Sequence, residues 1–241
     1  MHEPIYREAL ARGLDEWALE LPEPVQQRLC RYLALLFEKN KVMNLTAVTE
    51  PGEMVRRHLL DSLAPIKLGL LEGPCALADI GTGAGLPGLP LALARPQDSV
   101  LLIDSLQKRI AFLEEVLQAL PAPNAAACLG RAEELFHAPA LREGFDVVTA
   151  RAVAELRRLA EYCLPALRVG GLFLPFKSAG VEQELEEARN AIGTLGGKLE
   201  RVLVYRVPGE PAERLLPVIR KVRGTDAKYP RRQSQIKKNP L

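Results

Sequence analysis

Apolar residues along this chain follow two different rhythms, and the change comes near residue 75. Before it, they recur three or four apart: Leu10, Leu14 and Trp17, then Val25, Leu29, Leu33 and Leu36 after Pro22 and Pro24. That spacing predicts two amphipathic helices, with a third over Met54 to Leu63 and a polar connector at 40–46 between them. From Cys75 onward the runs shorten to strand length: Cys75–Ile80, Val100–Asp104, Ala125–Leu129, Phe145–Ala150 and Leu172–Phe176. Helical patterns alternate with them at Leu89–Ala94, Gln107–Ala119, Val153–Leu167 and Val181–Ile192. Such alternation predicts a parallel sheet covered on both faces. Gly170-Gly171 reads as a helix end turning into a strand. Two further strand-like runs, Lys198–Val207 and Leu215–Arg223, are joined by Pro208-Gly209-Glu210-Pro211 with no helix between them, so they must pair antiparallel. The expectation is an α/β fold: a doubly wound, seven-stranded, mostly parallel sheet (71–241) finished by an antiparallel C-terminal hairpin, with an N-terminal helical extension (1–70).

Composition adds exclusions. With 48% apolar and 26% charged residues the chain has the balance of an ordinary globular protein. Apolar stretches such as Leu86 to Ala94 fall far short of the roughly 20 residues a membrane span needs. The first ten residues carry Glu3, Arg7 and Glu8 and form no signal peptide. A cytoplasmic protein without membrane contact follows; a monomer is the expectation, although nothing in the sequence fixes the oligomeric state. Cys30, Cys75, Cys128 and Cys163 lie in apolar runs without a CxxC pair, and histidine occurs only at 2, 58 and 137. Neither disulfides nor a metal site are expected.

Charge is unevenly spread. From Arg214 to the C-terminus there are nine Lys/Arg and one acid, Asp226, so this stretch is +8 in a chain of net +2 and the remainder carries −6. A basic arm over 214–241 suits a polyanion partner, and its Pro230, Lys237, Lys238 and Pro240 suggest a flexible segment that orders on that partner. On that expectation, deleting residues 228–241 would weaken binding of the polyanion and leave ligand binding by the sheet intact. A solvated basic tail is the alternative.

The richest chemistry lies after the first strand, in Asp79-Ile80-Gly81-Thr82-Gly83-Ala84-Gly85-Leu86-Pro87-Gly88. Glycines there let backbone turn tightly and lie against a ligand, at the carboxyl end of a strand where doubly wound sheets bind nucleosides. Asp104 ends the second strand and can accept bonds from two ribose hydroxyls. Gly83, Gly85 and Gly88 also fit the dinucleotide pattern G-x-G-x-x-G, so an NAD-dependent oxidoreductase is the competing reading. Asp79 two residues before Gly81, the lack of a second nucleotide-binding half and the hairpin finish favour S-adenosylmethionine.

Several further motifs fall in one order: Asn44-Leu45-Thr46, Arg57-His58-Leu59-Leu60-Asp61-Ser62, the loop from Gly81 to Pro90, Asp104-Ser105-Leu106-Gln107-Lys108-Arg109, Arg131-Ala132-Glu133-Glu134, Arg151-Ala152 and Tyr229-Pro230-Arg231. From about residue 25 to the C-terminus the chain resembles the RsmG (GidB) family of 16S rRNA guanine-N7 methyltransferases. The resemblance implies a Rossmann-like class I methyltransferase that uses S-adenosylmethionine to methylate one guanine N7 in the decoding region (the 530 loop) of 16S rRNA, its partner being that rRNA or the small ribosomal subunit. It implies cofactor contacts from Asp79, Gly81, Gly83, Gly85 and Leu86, a ribose contact from Asp104 with Ser105 and Leu106 beside it, and an adenine frame from Ala132 and Glu133. Arg151 would face the reacting centre, with Asn44, His58, Asp61 and Lys177 as polar neighbours. Two departures, Ser178 for an expected glycine and Arg232-Gln233-Ser234-Gln235-Ile236 where lysine and glycine are usual, were both expected on the RNA side.

The residues alone leave alternatives open. Asn44 can be a simple cap, His58 and Asp61 a local helix pair, and Arg131 with Glu133 a surface ion pair. Trp17, Tyr32 and Phe37 read as packing aromatics. Other RNAs, or a protein, remain possible acceptors. Guanine N7 carries a lone pair and no proton, so its methylation needs alignment rather than a general base.

Overall fold

β-Branched and leucine-rich runs form the expected sheet. In the computed structural model, which describes residues 2–178 and 180–241, the strands are β1 (Ala76–Ile80), β2 (Ser99–Asp104), β3 (Ala125–Leu129), β4 (Phe145–Arg151), β5 (Leu167–Ser178), β6 (Gly197–Arg206) and β7 (Glu213–Lys221). Their order is β3-β2-β1-β4-β5-β7-β6. β1 to β5 pair in parallel, and β7 runs antiparallel to both β5 and β6. The order reverses between β1 and β4, and at such a switch point the carboxyl ends of the strands diverge into a ligand crevice.

Ten α-helices accompany the sheet among the described residues: α1 (Glu3–Glu16), α2 (Glu23–Met43), α3 (Pro51–Met54), α4 (Ala64–Lys67), α5 (Gly88–Ala94), α6 (Gln107–Ala119), α7 (Ala132–Leu135), α8 (Leu156–Cys163), α9 (Val181–Thr194) and α10 (Gln233–Lys238). One apolar cluster joins Leu10, Leu29 and Leu33 of the N-terminal helices to Leu89, Leu113 and the sheet residues Leu77 and Leu102. A second, on the opposite face, gathers Phe136, Leu159, Ala188 and Ile236 against Ala78, Val148 and Phe173.

Three expectations from the sequence are corrected. Gly170-Gly171 is not a helix terminus: β5 starts at Leu167 and runs through both glycines. Gly170 takes φ +93°, and a Cβ on Gly171 would lie 2.8 Å from the Asp146 carbonyl, opposite a register shift between Phe145 and Val147. The preceding helix is correspondingly short, stopping at Cys163 before a tight turn at Leu164–Ala166 that contains Pro165. The third N-terminal segment is not one regular helix, since Val55–Leu60 is a π-helical turn. Such turns are rare and concentrate at functional sites, and this one carries His58.

The third correction concerns the C-terminus, which is packed down rather than a free arm. Tyr229 and Ile236 are buried. Arg231 grips Glu161 of α8 through Nε at 2.9 Å and Nη2 at 2.7 Å, and Glu161 also accepts the Arg231 amide at 2.8 Å. Arg142 donates to the carbonyls of Tyr229 and Thr225 at 2.7 and 2.8 Å.

Two long-range bonds tie the N-terminal helices to the site. Trp17 Nε1 donates to the Arg206 carbonyl at 2.9 Å, and the fully buried Tyr32 donates its hydroxyl to the Ala84 carbonyl at 2.8 Å. Tyr32 is thus more than a packing aromatic, for it braces the glycine loop from outside. Tyr32→Phe is expected to cost about 1 kcal/mol of stability, read as a shifted midpoint in urea denaturation, with cofactor affinity weakened a few-fold.

Candidate active site

The glycine loop is built by an acid that never meets the cavity. Asp79 is fully buried; Oδ2 accepts from Thr82 Oγ1 at 2.6 Å and the Gly88 amide at 3.0 Å, and Oδ1 accepts from Thr149 Oγ1 at 2.9 Å. Burial pushes its carboxyl up to about 6, against those three hydrogen bonds, which pull the other way. Asp79 therefore shapes the loop between β1 and α5. Gly81 and Gly83 hold φ +67° and +61°, and a Cβ on Gly81 would come within 2.6 Å of Val153.

A cavity of about 480 Å³ opens at the carboxyl ends of β1, β2 and β3, and Gly81, Asp104, Ser105, Ala132 and Glu133 line it. Asp104 is organised from below: Oδ1 accepts from the Leu106 amide at 2.9 Å, and Oδ2 from the Gly83 amide and Arg109 Nη1, each at 3.0 Å. Glu133 is buried, sits 3.8 Å from the Arg131 guanidinium, and leaves Oε1 without a hydrogen-bond partner. A buried acceptor without a donor fits a ligand that brings one. Gly83, Gly85, Leu86 and Leu106 do not line it: Gly85 packs on Leu113, and Leu106, its side chain exposed, lends its amide to Asp104. Tyr162, Gln233 and Lys237 also line the cavity; nothing in the sequence singles out Tyr162, and the other two were expected on the RNA side. The 232–236 departure therefore borders this cavity and not only an outer RNA-facing side.

A second cavity, about 320 Å³, adjoins the first, and Ala152 lines both. Ala152 holds φ +56°, a left-handed conformation unusual for a residue with a side chain. Into this space come Asp61, Arg151, Lys177, Glu184, Tyr205 and Arg214. Arg151 Nη1 donates to Asp61 Oδ2 and to the Arg57 carbonyl, both at 2.9 Å, while Tyr205 donates its hydroxyl to Asp61 Oδ1 at 2.8 Å. Burial and the neighbouring Asp61 raise the Tyr205 phenol far above its usual range, so it stays a donor. Lys177 Nζ donates to Glu184 Oε1 at 2.7 Å, and the same oxygen accepts the Leu156 amide at 2.7 Å.

His58 and Asp61 do not pair with each other. His58 is buried, with Nε2 2.9 Å from Thr46 Oγ1 and Nδ1 without a hydrogen-bond partner. Burial, and secondly the Arg151 charge, lower it to about 4, so the ring is neutral at physiological pH. Asn44 borders neither cavity: it is exposed and ends α2 in a left-handed turn with φ +50°. Glu184, Tyr205 and Arg214 escaped the sequence because each is an ordinary residue of a strand or helix remote from any motif.

The two titrations predict opposite pH effects on stability. His58, with its folded value depressed from 6.5, contributes stability that is complete above 6.5 and lost as pH falls toward 4. Asp79, raised from 3.8 to about 6, contributes stability present below 3.8 and lost as pH rises through 6. In His58→Gln the first effect disappears. The stability gap between native protein and variant is expected to shrink by about 3 kcal/mol from pH 7 to pH 4, measured by urea denaturation of both at each pH. A constant gap would show that His58 is not held neutral.

Residues 25–210 match the GidB family, described as rRNA small subunit methyltransferase G. The chain is 46% identical over 230 residues to the ribosomal RNA small subunit methyltransferase G of Lachnoclostridium phytofermentans, covering 95% of each chain. The chain belongs to this family. Another relative of the same name, from Exiguobacterium sp., is 44% identical over 245 residues and covered in full by the match, as is this chain. Among solved structures, a variant of the 16S rRNA adenine-N(1) methyltransferase from Catenulisporales acidiphilia, determined with SAM, shares the fold at 18% identity and TM-score 0.50, over 63% of this chain and 87% of that one. Membership in the GidB family does not favour the NAD-dependent oxidoreductase reading. No helix among the described residues is long and apolar enough to cross a membrane.

Proposed function

We propose that the first cavity holds S-adenosylmethionine and that the second admits a guanine of 16S rRNA, whose N7 receives the methyl group. The observation that carries this reading is the junction of the two cavities at Ala152, with a ribose-binding carboxylate on one side and a fixed network of charges on the other. Family membership supplies the rRNA. The particular atom and its place in the 530 loop come from the resemblance.

The donor set fits the cofactor. Asp104 would accept from the ribose hydroxyls in place of Arg109, and Glu133 Oε1 would accept from the adenine amino group. Bound there, the cofactor supplies an electrophilic methyl group on a sulfonium. On the acceptor side the chain has only to orient the purine and exclude water, because N7 has no proton to lose. Arg151, pinned between Asp61 and the Arg57 carbonyl, gives that side a rigid wall. Asp61 also sets a carboxylate near the place where positive charge develops on the purine. His58, neutral and turned toward Thr46, takes no proton. Within the same reading, residues 1–70 are a helical extension braced on a methyltransferase domain of 71–241, and the chain acts as a cytoplasmic monomer on the small subunit.

Calorimetric titration with S-adenosylmethionine and with NAD separates the two cofactor readings, and methyl incorporation into small subunits tests the substrate. Saturable binding of S-adenosylmethionine alone, with incorporated label sensitive to ribonuclease, is the expected result. Label sensitive to protease instead would move the acceptor to a protein.

A further inference from the structure

The family model matches to residue 210, while the relative from Exiguobacterium sp. matches the full chain, and residues beyond 210 reach the cofactor cavity. Gln233 and Lys237 are four apart on α10, so they share a helix face, and both line that cavity beside Arg158 and Tyr162. Their position is fixed by anchors on other elements. Glu161 of α8 is fully buried and receives three hydrogen bonds from Arg231. Ile236 packs in the cluster that contains Ala132, Phe136 and Tyr162. His137, just beyond α7, meets the Pro230 carbonyl through Nε2 at 2.8 Å. These contacts seat α10 against α7 and α8, next to Glu133, at the end of the cavity where the nucleoside belongs.

We propose that α10 is the outer wall of the adenosine site, and that Gln233 and Lys237 are cofactor-binding residues. This rests on S-adenosylmethionine being the cofactor. A purine edge presents ring-nitrogen acceptors and one amino donor. Lysine brings three donors and glutamine brings both kinds of group, beside a Glu133 oxygen and an Arg158 Nε that are otherwise without hydrogen-bond partners. Charge alone reads this segment as an RNA arm, but the packing turns part of it inward. Lys237 is itself exposed but lines the cavity, whereas Lys228 and Lys238 are exposed and do not line it, so any phosphate contacts of the segment fall to residues of that kind.

Truncation is a poor test, because removing Arg231 leaves the Glu161 carboxylate buried and unpaired. Calorimetric titration of S-adenosylmethionine, without RNA, is made instead on the full chain, on a Gln233→Ala/Lys237→Ala double variant, and on a Lys228→Ala/Lys238→Ala double variant. Loss of one or two hydrogen bonds weakens binding roughly five- to twentyfold in the first variant, with its ligand-free melting temperature unchanged, and leaves the second variant at full affinity. Lys237→Met, which keeps the length and helix preference of the side chain, repeats the measurement should the double variant melt early. Unaltered cofactor affinity in a stably folded Gln233/Lys237 variant overturns the proposal. Failure of the full chain itself to bind S-adenosylmethionine overturns the cofactor assignment beneath it.

Discussion

Asp104→Ala is expected to lower S-adenosylmethionine affinity by roughly a hundredfold or more. Two ribose hydroxyls bonded to a charged acceptor contribute about 1.5 kcal/mol each at the low end, and each 1.4 kcal/mol is a factor of ten in affinity. The loss is compounded within the loop, since Asp104 also holds the amides of Gly83 and Leu106. Asp104→Asn keeps an acceptor oxygen and is expected to fall between the two. Calorimetric titration reads both, and a change of less than threefold in the alanine variant would remove Asp104 from the cofactor site.

Asp61→Ala is expected to damage the acceptor side. It takes from Arg151 its only carboxylate partner among the described residues, frees the Tyr205 hydroxyl, and removes the charge 4.0 Å from Arg214 Nε, which is itself buried without a partner. Breaking a largely buried pair from one side costs about 3 kcal/mol or more, a fall in melting temperature of roughly 6–12 °C for a chain of this size. A displaced Arg151 no longer shapes the acceptor pocket, and misplacement of about an ångström costs on the order of a hundredfold in rate. The expected pattern is therefore a kcat reduced about a hundredfold with cofactor affinity changed less than tenfold. Asp61→Asn, which keeps the size and hydrogen-bonding capacity of the side chain, separates the geometric part of the effect from the charge. A loss of stability without any loss of kcat would reduce Asp61 to a structural residue.

The sheet was readable from sequence because its signals are local. The apolar runs that became β1 to β4, and the helix Gln107–Ala119, need only short-range periodicity and emerge at or near the expected bounds. Gly170-Gly171 misled because a glycine pair marks a helix end far more often than the middle of a strand. Its true cause, the close approach of the Asp146 carbonyl, belongs to the tertiary structure. The same division runs through the site. Asp104 and the Ala132–Glu133 pair sit where a motif directly follows a strand, and they line one cavity together. Asp79 and the loop residues Gly83 to Leu86 belong to the same motif but are not among the residues that line the cavity, and no spacing separates the two groups. Tyr205 and Arg214 come to Asp61 from more than a hundred residues away. The C-terminal segment was the least legible part. Its charge density resembles a solvated tail, while its placement rests on two apolar side chains and on Glu161, a partner seventy residues distant from Arg231.

The central claim is tested most directly by incubating the protein with methyl-labelled S-adenosylmethionine and small ribosomal subunits that lack their own modifications, then digesting the rRNA to nucleosides. The account predicts that label appears as 7-methylguanosine, at a single site in the decoding region. Label in a different nucleoside, or none in rRNA despite saturable cofactor binding, would contradict it.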